Sequence, residues 1–173
     1  MAIANYMLNE TNLEQIWMVL SPQNPLKSKN TLLDQYHRLA LLNLAIDDFP
    51  KIKSSKIEFD LPQPSYTINT LAHLEEKFPQ HQFSLLLGGD NLQSFQKWKN
   101  YEQILERYDL YVYPRAEART SPFDQHPRVH LTNAPIMEIS STFIRVAIKE
   151  KKDVRFFLPQ KVWEEIDLMN FYK

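Results

Sequence analysis

Ser140-Ser141-Thr142, with Arg145 three residues on, places three hydroxyls and a guanidinium at the start of a segment whose pattern predicts a helix through Lys149. The orphan N–H groups of a helix N-terminus, its dipole and a guanidinium all favour negative charge, so this arrangement suits a polyphosphate. Ser and Thr are also the preferred ordinary caps, and the same residues would serve a helix that binds nothing. A second candidate is Gly88-Gly89-Asp90, which holds the only two glycines of the chain and follows the apolar run Phe83-Ser84-Leu85-Leu86-Leu87. Glycine permits positive φ and a close backbone approach, so a strand, this turn and a helix start can hold a nucleotide. The plainer reading is a tight turn with Asp90 as N-cap. Further positive charge comes from Lys27 and Lys29 in a polar loop and from Arg38 on the helix after it. Phosphate is one partner for these, and solvent or a carboxylate is the other. Thr67 stands at a helix start whose free N–H groups can receive an anion or simply begin the helix.

These residues need elements to hold them. Met1 to Leu8 reads as a helix with no capping residue before it, and Leu13 to Leu20 as a strand ended by Ser21-Pro22-Gln23-Asn24-Pro25. Thr31, with Asp34 three residues later, forms a capping-box pattern for a helix that buries Leu32, Tyr36, Leu39, Leu42 and Ile46, with His37 partly exposed. Lys56-Ile57-Glu58-Phe59 alternates as a half-buried strand does. Thr67 is the predicted cap of a helix burying Ile68, Leu71, Leu74 and Phe78. The apolar run before Gly88 is a strand, Asn91 to Trp98 a short helix and Tyr101 to Tyr108 another helical stretch. Leu110 to Tyr113 is a strand, residues 114 to 127 the longest irregular loop, and Arg128 to Leu131 and Ile136 to Ile139 bracket a further short strand region. A last helix, Gln160 to Met169, carries Val162, Trp163, Ile166 and Met169 on one face. Strands alternating with helices predict an α/β fold, a Rossmann-like parallel sheet with helices on both faces and ligands at the carboxyl ends of the strands. The turns at Lys27, Thr67, Gly88 and Ser140 each follow a predicted strand.

The 173 residues fit a single domain, 1–173, with 43% hydrophobic and 24% charged content, the balance of an ordinary globular chain. With 20 basic and 21 acidic residues the net charge is −1, which gives no general attraction to nucleic acid or to an anionic membrane. There is no cysteine, which excludes disulfides, thiolate nucleophiles and cysteine-based metal sites. No apolar stretch reaches membrane-span length and no signal pattern opens the chain, so the expected compartment is the cytoplasm.

Leu86-Leu87-Gly88-Gly89-Asp90-Asn91-Leu92 with Phe95 and Trp98, Tyr66 to Leu71, Tyr113-Pro114-Arg115, and Ile139-Ser140-Ser141-Thr142-Phe143-Ile144-Arg145 together resemble bacterial nicotinate-nucleotide adenylyltransferase. The likeness runs from about residue 3 to the C-terminus. The Ile-Ser-Ser-Thr-x-Ile-Arg signature is shared across the nucleotidyltransferase superfamily, phosphopantetheine adenylyltransferase included, and the Gly-Gly-Asp helix with its tryptophan points to the pyridine-nucleotide branch. The resemblance implies adenylyl transfer from ATP to nicotinate mononucleotide, giving deamido-NAD and pyrophosphate without a covalent enzyme intermediate. It implies that Ser141, Thr142 and Arg145 hold ATP phosphates and that Gly88, Gly89 and Asp90 hold the adenosine ribose region. Trp98 would stack on the pyridine ring, and N–H groups near Thr67 and Lys99 would receive its carboxylate. Lys27 and Arg38 fall where the family has basic residues. Lys27 is expected with Arg145 to be catalytic and Arg38 to serve the mononucleotide, although the histidine often placed before that lysine is Leu26 here. Mg²⁺ would arrive with ATP, held mainly by phosphate oxygens and water, with no metal site of the protein's own.

The family opens with a strand, a glycine-containing turn and a His-x-Gly-His motif, and this sequence starts within the helix that follows them. None of His37, His73, His81, His126 or His130 has the spacing to replace the motif. Loss of one preorganised donor costs on the order of 3 kcal/mol of transition-state stabilisation. Low turnover and a sheet gap with unpaired ladder groups are therefore expected, with a start at an internal methionine as the explanation. The competing expectation is a nucleotide-binding or interaction protein without turnover.

Overall fold

The computed structural model describes residues 1–22, 33–116 and 118–173. In chain order the elements are α1 (Ala2–Glu10), β1 (Ile16–Val19), α2 (Gln35–Ile46), β2 (Ile52–Ser55), α3 (Thr67–Lys77), β3 (Leu85–Gly88), α4 (Gly89–Gln93), α5 (Tyr101–Arg107), β4 (Leu110–Tyr113), β5 (Val129–Leu131), α6 (Ser141–Lys149) and α7 (Gln160–Leu168). Short 3₁₀ turns fall at Ile57–Asp60, Phe95–Lys97 and Arg155–Phe157. Every strand pairing is parallel, with β1 beside β2 in one sheet and β3, β4 and β5 side by side in another. Parallel sheets flanked by helices are the Rossmann-like arrangement that the alternation of elements predicts.

The described chain divides into two compact units. One takes residues 1–22, 33–56 and 137–173, and the other residues 57–116 and 118–136. In the first, Ala147, Ile148, Val154, Val162 and Ile166 form a core against which Leu41, Leu44 and Ala45 of α2 pack. Of the stripe predicted on helix α2, Ile46 is buried and Leu39 and Leu42 are half-buried, whereas Tyr36 is exposed. Apolar residues occupy most of this helix, so periodicity alone does not choose the inward face. Its cap is Asp34, whose carboxylate accepts from the Tyr36 N–H at 2.8 Å. The predicted cap Thr31 and the apolar Leu32 lie outside the described residues. On α7, Val162 and Ile166 are buried as expected, whereas Met169 is exposed beyond the helix end.

In the second unit, Ile68 and Leu71 of α3, Leu87, Leu92, Phe95, Ile104, Leu105, Tyr108, Leu110, Val112 and Val129 form the core. The strand expected at Lys56–Phe59 is instead a 3₁₀ turn, and the strand stands earlier, at Ile52–Ser55, in register with Ile16–Val19. Pairing with β1 fixed the strand, which an alternation of four residues cannot do. Glu58 in that turn is buried, and its carboxylate accepts from the Thr70 hydroxyl at 2.7 Å. Helix α3 starts at Thr67, with Tyr66 in the capping position and no side-chain cap bond, so Thr67 is a first-turn residue rather than the cap. Phe78, predicted to be buried, ends that helix half-buried. Helix α4 stops at Gln93, and the 3₁₀ turn Phe95–Lys97 continues to Trp98. Residues 136–139 are irregular.

Candidate active site

In the first unit the Ser140 to Arg145 segment forms as its sequence predicts. The Ser140 hydroxyl accepts from the Phe143 N–H at 3.1 Å, leaving Ser141 and Thr142 as exposed first-turn residues of α6. Arg145 lies one turn later and donates from Nη2 to the Thr142 hydroxyl at 3.2 Å. No carboxylate pairs with Arg145 among the described residues. Two exposed hydroxyls and, one turn on, a guanidinium without a carboxylate partner among the described residues thus stand at the start of α6, a set of groups that a phosphate chain would satisfy.

Arg38, on α2, spends its guanidinium on backbone. Nε donates to the Leu33 carbonyl at 3.0 Å, Nη1 to Ser21 at 2.8 Å and Nη2 to Pro22 at 2.9 Å. The C-terminal residues close on the same unit: Phe171 sets its ring 5.0 Å from that of His37, and Tyr172 adopts a left-handed backbone, φ 64°. Burial raises the Tyr172 phenol above its ordinary pKa, while the positive charges of Arg145 and Arg38 pull it down. Tyr172 therefore lies within electrostatic reach of both arginines, and its lone position at the chain end gave no signal in the sequence. Lys27, expected to be catalytic, lies outside the described residues, as does Lys29.

In the second unit the glycine pair ends β3 and opens α4. Gly88 is the N-cap with φ −79° and ψ 154°, and neither glycine has positive φ. The expected conformational reason is thus replaced by a spatial one. A Cβ on Gly88 would strike the Asp90 carboxylate and lie 3.1 Å from Arg115 Cγ and 3.2 Å from Tyr113 Cζ, while one on Gly89 would lie 2.9 Å from Ala118 Cβ. Asp90 is not the cap. It stands in the first turn of α4, and its Oδ1 is 3.8 Å from Arg115 Nε. Tyr113 and Arg115, conspicuous in the sequence only as part of a motif, are the side chains that frame this turn.

Trp98 is half-buried, its ring 5.4 Å from that of Phe95, which is fully buried. Lys99 next to it is exposed and holds Nζ 4.3 Å over the Tyr66 ring, at the start of the helix that Thr67 begins. The stack of Lys99 on Tyr66 joins the Trp98 segment to the N-terminus of α3, so Thr67, Trp98 and Lys99 belong to one neighbourhood. Beneath it, Glu58 holds Thr70 of the same first turn. A glutamate in an expected strand gave no hint of that buried contact. Among the described residues no three His, Asp or Glu side chains converge to hold a metal ion. No helix among them is long and apolar enough to cross a membrane.

A Rossmann-like fold, a hydroxyl-rich helix start with an arginine and a glycine turn at the end of a parallel strand are the features on which the sequence resembles the nucleotidyltransferases. The cytidylyltransferase-like family model matches residues 1–147. Among curated relatives, a "probable nicotinate-nucleotide adenylyltransferase" of Flavobacterium psychrophilum is 58% identical, over 99% of this chain and 90% of its own. A protein of the same name from Bacteroides thetaiotaomicron is 43% identical over 96% of this chain and 82% of its own. The chain belongs to the nicotinate-nucleotide adenylyltransferase family. The solved structure of Plasmodium falciparum nicotinic acid mononucleotide adenylyltransferase complexed with NaAD has the same fold, with a TM-score of 0.76 at 20% identity over 98% of this chain and 90% of that one.

Proposed function

We propose that this chain transfers the adenylyl group of ATP to nicotinate mononucleotide. A phosphate oxygen of the mononucleotide attacks the α-phosphorus, the bond from that phosphorus to the oxygen bridging to the β-phosphate breaks, and deamido-NAD and pyrophosphate are the products. Such a displacement needs in-line positioning and neutralised phosphate charge, and no side-chain nucleophile. The observation that carries this reading is the Arg145 guanidinium, held on the Thr142 hydroxyl over the first turn of α6 with no carboxylate to neutralise it among the described residues.

Ser141, Thr142 and Arg145 take the ATP phosphates, with Arg145 stabilising charge that builds on the leaving pyrophosphate. Lys27 assists as a second cation. Gly88 and Gly89 leave room for the adenosine ribose, whose hydroxyls Asp90 accepts. Trp98 stacks on the pyridine ring, and N–H groups at Thr67 and Lys99 receive its carboxylate. Mg²⁺ enters as part of the MgATP substrate, carried by phosphate oxygens and water. The two soluble nucleotide substrates suit the cytoplasm. The test is a coupled pyrophosphate-release assay with MgATP and either nicotinate mononucleotide or phosphopantetheine. Release with the first alone supports the reading, and release with the second alone, or with neither, overturns it.

A further inference from the structure

We propose that Arg38 is a positioning residue for adenylyl transfer: its guanidinium ties the exit of β1 to the entry of α2 through three backbone carbonyls and does not meet a substrate phosphate. This inference rests on the adenylyl-transfer reading and specifies how one of its basic residues acts.

Ser21 and Pro22 lie just beyond β1, whose last bond to β2 is the Leu20 N–H to the Ser55 carbonyl at 2.9 Å. Leu33 stands immediately before Asp34, the cap of α2. Arg38 reaches both places, with Nη1 and Nη2 on Ser21 and Pro22 and Nε on Leu33, all between 2.8 and 3.0 Å. Its own N–H bonds the Asp34 carbonyl at 3.0 Å, so the base of the side chain is fixed by the first turn of the same helix. Three of the five donors of a guanidinium point in fixed directions at three carbonyls, and carbonyls outside a ladder require such partners. A lysine ammonium has no fork with which to hold carbonyls on two segments at once. In a parallel α/β sheet, ligands lie at the carboxyl ends of the strands, so what holds the exit of β1 holds a wall of that region. A guanidinium already directed at backbone on both sides is built to hold the end of β1 and the start of α2 together.

The test compares R38K and R38Q with the unaltered chain by steady-state kinetics with MgATP and nicotinate mononucleotide, and by amide hydrogen exchange over residues 16–22 and 33–38. The expected result is a kcat lowered about tenfold or more in both variants, with KM for the mononucleotide within about twofold and no rescue by lysine. Exchange at the two segments should quicken about tenfold or more while exchange in α7 stays unchanged. A KM for the mononucleotide raised about tenfold in R38Q and largely restored in R38K would make Arg38 a phosphate ligand and overturn the proposal. Unaltered kcat in R38Q overturns it whatever exchange shows. Should R38Q fail to fold, R38K carries the comparison. An unaltered chain that makes no dinucleotide refutes the reading of function instead, and exchange alone then decides whether the clamp exists.

Discussion

The Asp90 carboxylate and the Arg115 side chain close over Gly88, with Oδ1 3.8 Å from Nε and Arg115 Cγ 3.1 Å from where a Cβ on the glycine would stand. Both charged groups are substantially exposed, so the pair itself adds little stability. Its consequence is steric and local. G88A would displace the end of a flexible Asp90 side chain more than any backbone, so we expect a stability loss of about 1 kcal/mol. KM for ATP should rise roughly tenfold, because Asp90 is moved from the ribose it is proposed to bind. Thermal unfolding and ATP-dependent kinetics of G88A check this, and an unchanged KM for ATP would remove Asp90 from the ribose site.

Trp98 is half-buried and leans on Phe95, with the two ring centres 5.4 Å apart. W98A should raise KM for nicotinate mononucleotide roughly 5- to 100-fold, the range that loss of an aromatic stack on a base commands. W98F keeps the contact with Phe95 and part of the stack, so it should fall between the two. KM for ATP should stay near its original value in both. Titration of mononucleotide against each variant, followed by tryptophan or intrinsic tyrosine fluorescence, separates stacking from loss of core packing. Equal affinity in all three proteins would refute the pyridine assignment.

Features set by local chemistry were legible in the sequence, and those set by distant pairing were not. Leu110 to Tyr113 is a strand in both readings because its β-rich run is bounded by Pro114, and Ser140 caps α6 because a hydroxyl before a helix has one obvious donor to meet. Sequence alternation points to Lys56–Phe59 rather than to the strand at Ile52–Ser55, because only β1, more than thirty residues away, fixes its register. The glycine pair is evident in the sequence but its cause is not, since crowding by Arg115, Tyr113 and Ala118 has no local signature. Sequence alone leaves Arg38 open to a phosphate or a carboxylate, because its carbonyl partners at Ser21 and Pro22 are seventeen and sixteen residues away. Glu58 was invisible for the same reason, its Thr70 partner lying in another element.

Among the described residues the one side-chain hydrogen bond of Arg145 goes to the Thr142 hydroxyl, so its removal should cost the fold little and catalysis much. R145A is expected to lower kcat by about a hundredfold to a thousandfold, the usual effect of deleting one donor aimed at developing charge, with unfolding unchanged within about 0.5 kcal/mol. R145K should recover only part, because it keeps the charge and loses the fork. The contrasting variant is S140A, which removes the cap that accepts from Phe143 at 3.1 Å. It should lower stability by about 1 kcal/mol. Kinetics and urea unfolding of the pair distinguish the two roles, and similar stability losses in both would make Arg145 structural.

Tyr108 gives the chain an alkaline limit. It is 2% exposed, its hydroxyl finds no hydrogen-bond partner of good geometry among the described residues, and burial, reinforced by the nearby Glu75 carboxylate, pushes its pKa up to about 12 from an ordinary 10. A phenol whose ionisation is resisted by the folded state stabilises that state fully below the unfolded value and loses this contribution as pH rises through the folded one. Stability should therefore fall between about pH 10 and pH 12, by an amount of order 2 kcal/mol from this residue. Y108F removes both the ionisation and an uncompensated buried hydroxyl, so at neutral pH it should be as stable as the parent or more so by about 1 kcal/mol. Above pH 10 the gap between the two proteins should widen, because the remaining tyrosines titrate in both and cancel in the difference. Urea unfolding of parent and variant at pH 8, 10 and 11.5 measures that gap, and a constant difference across the three would show that Tyr108 does not ionise with unfolding.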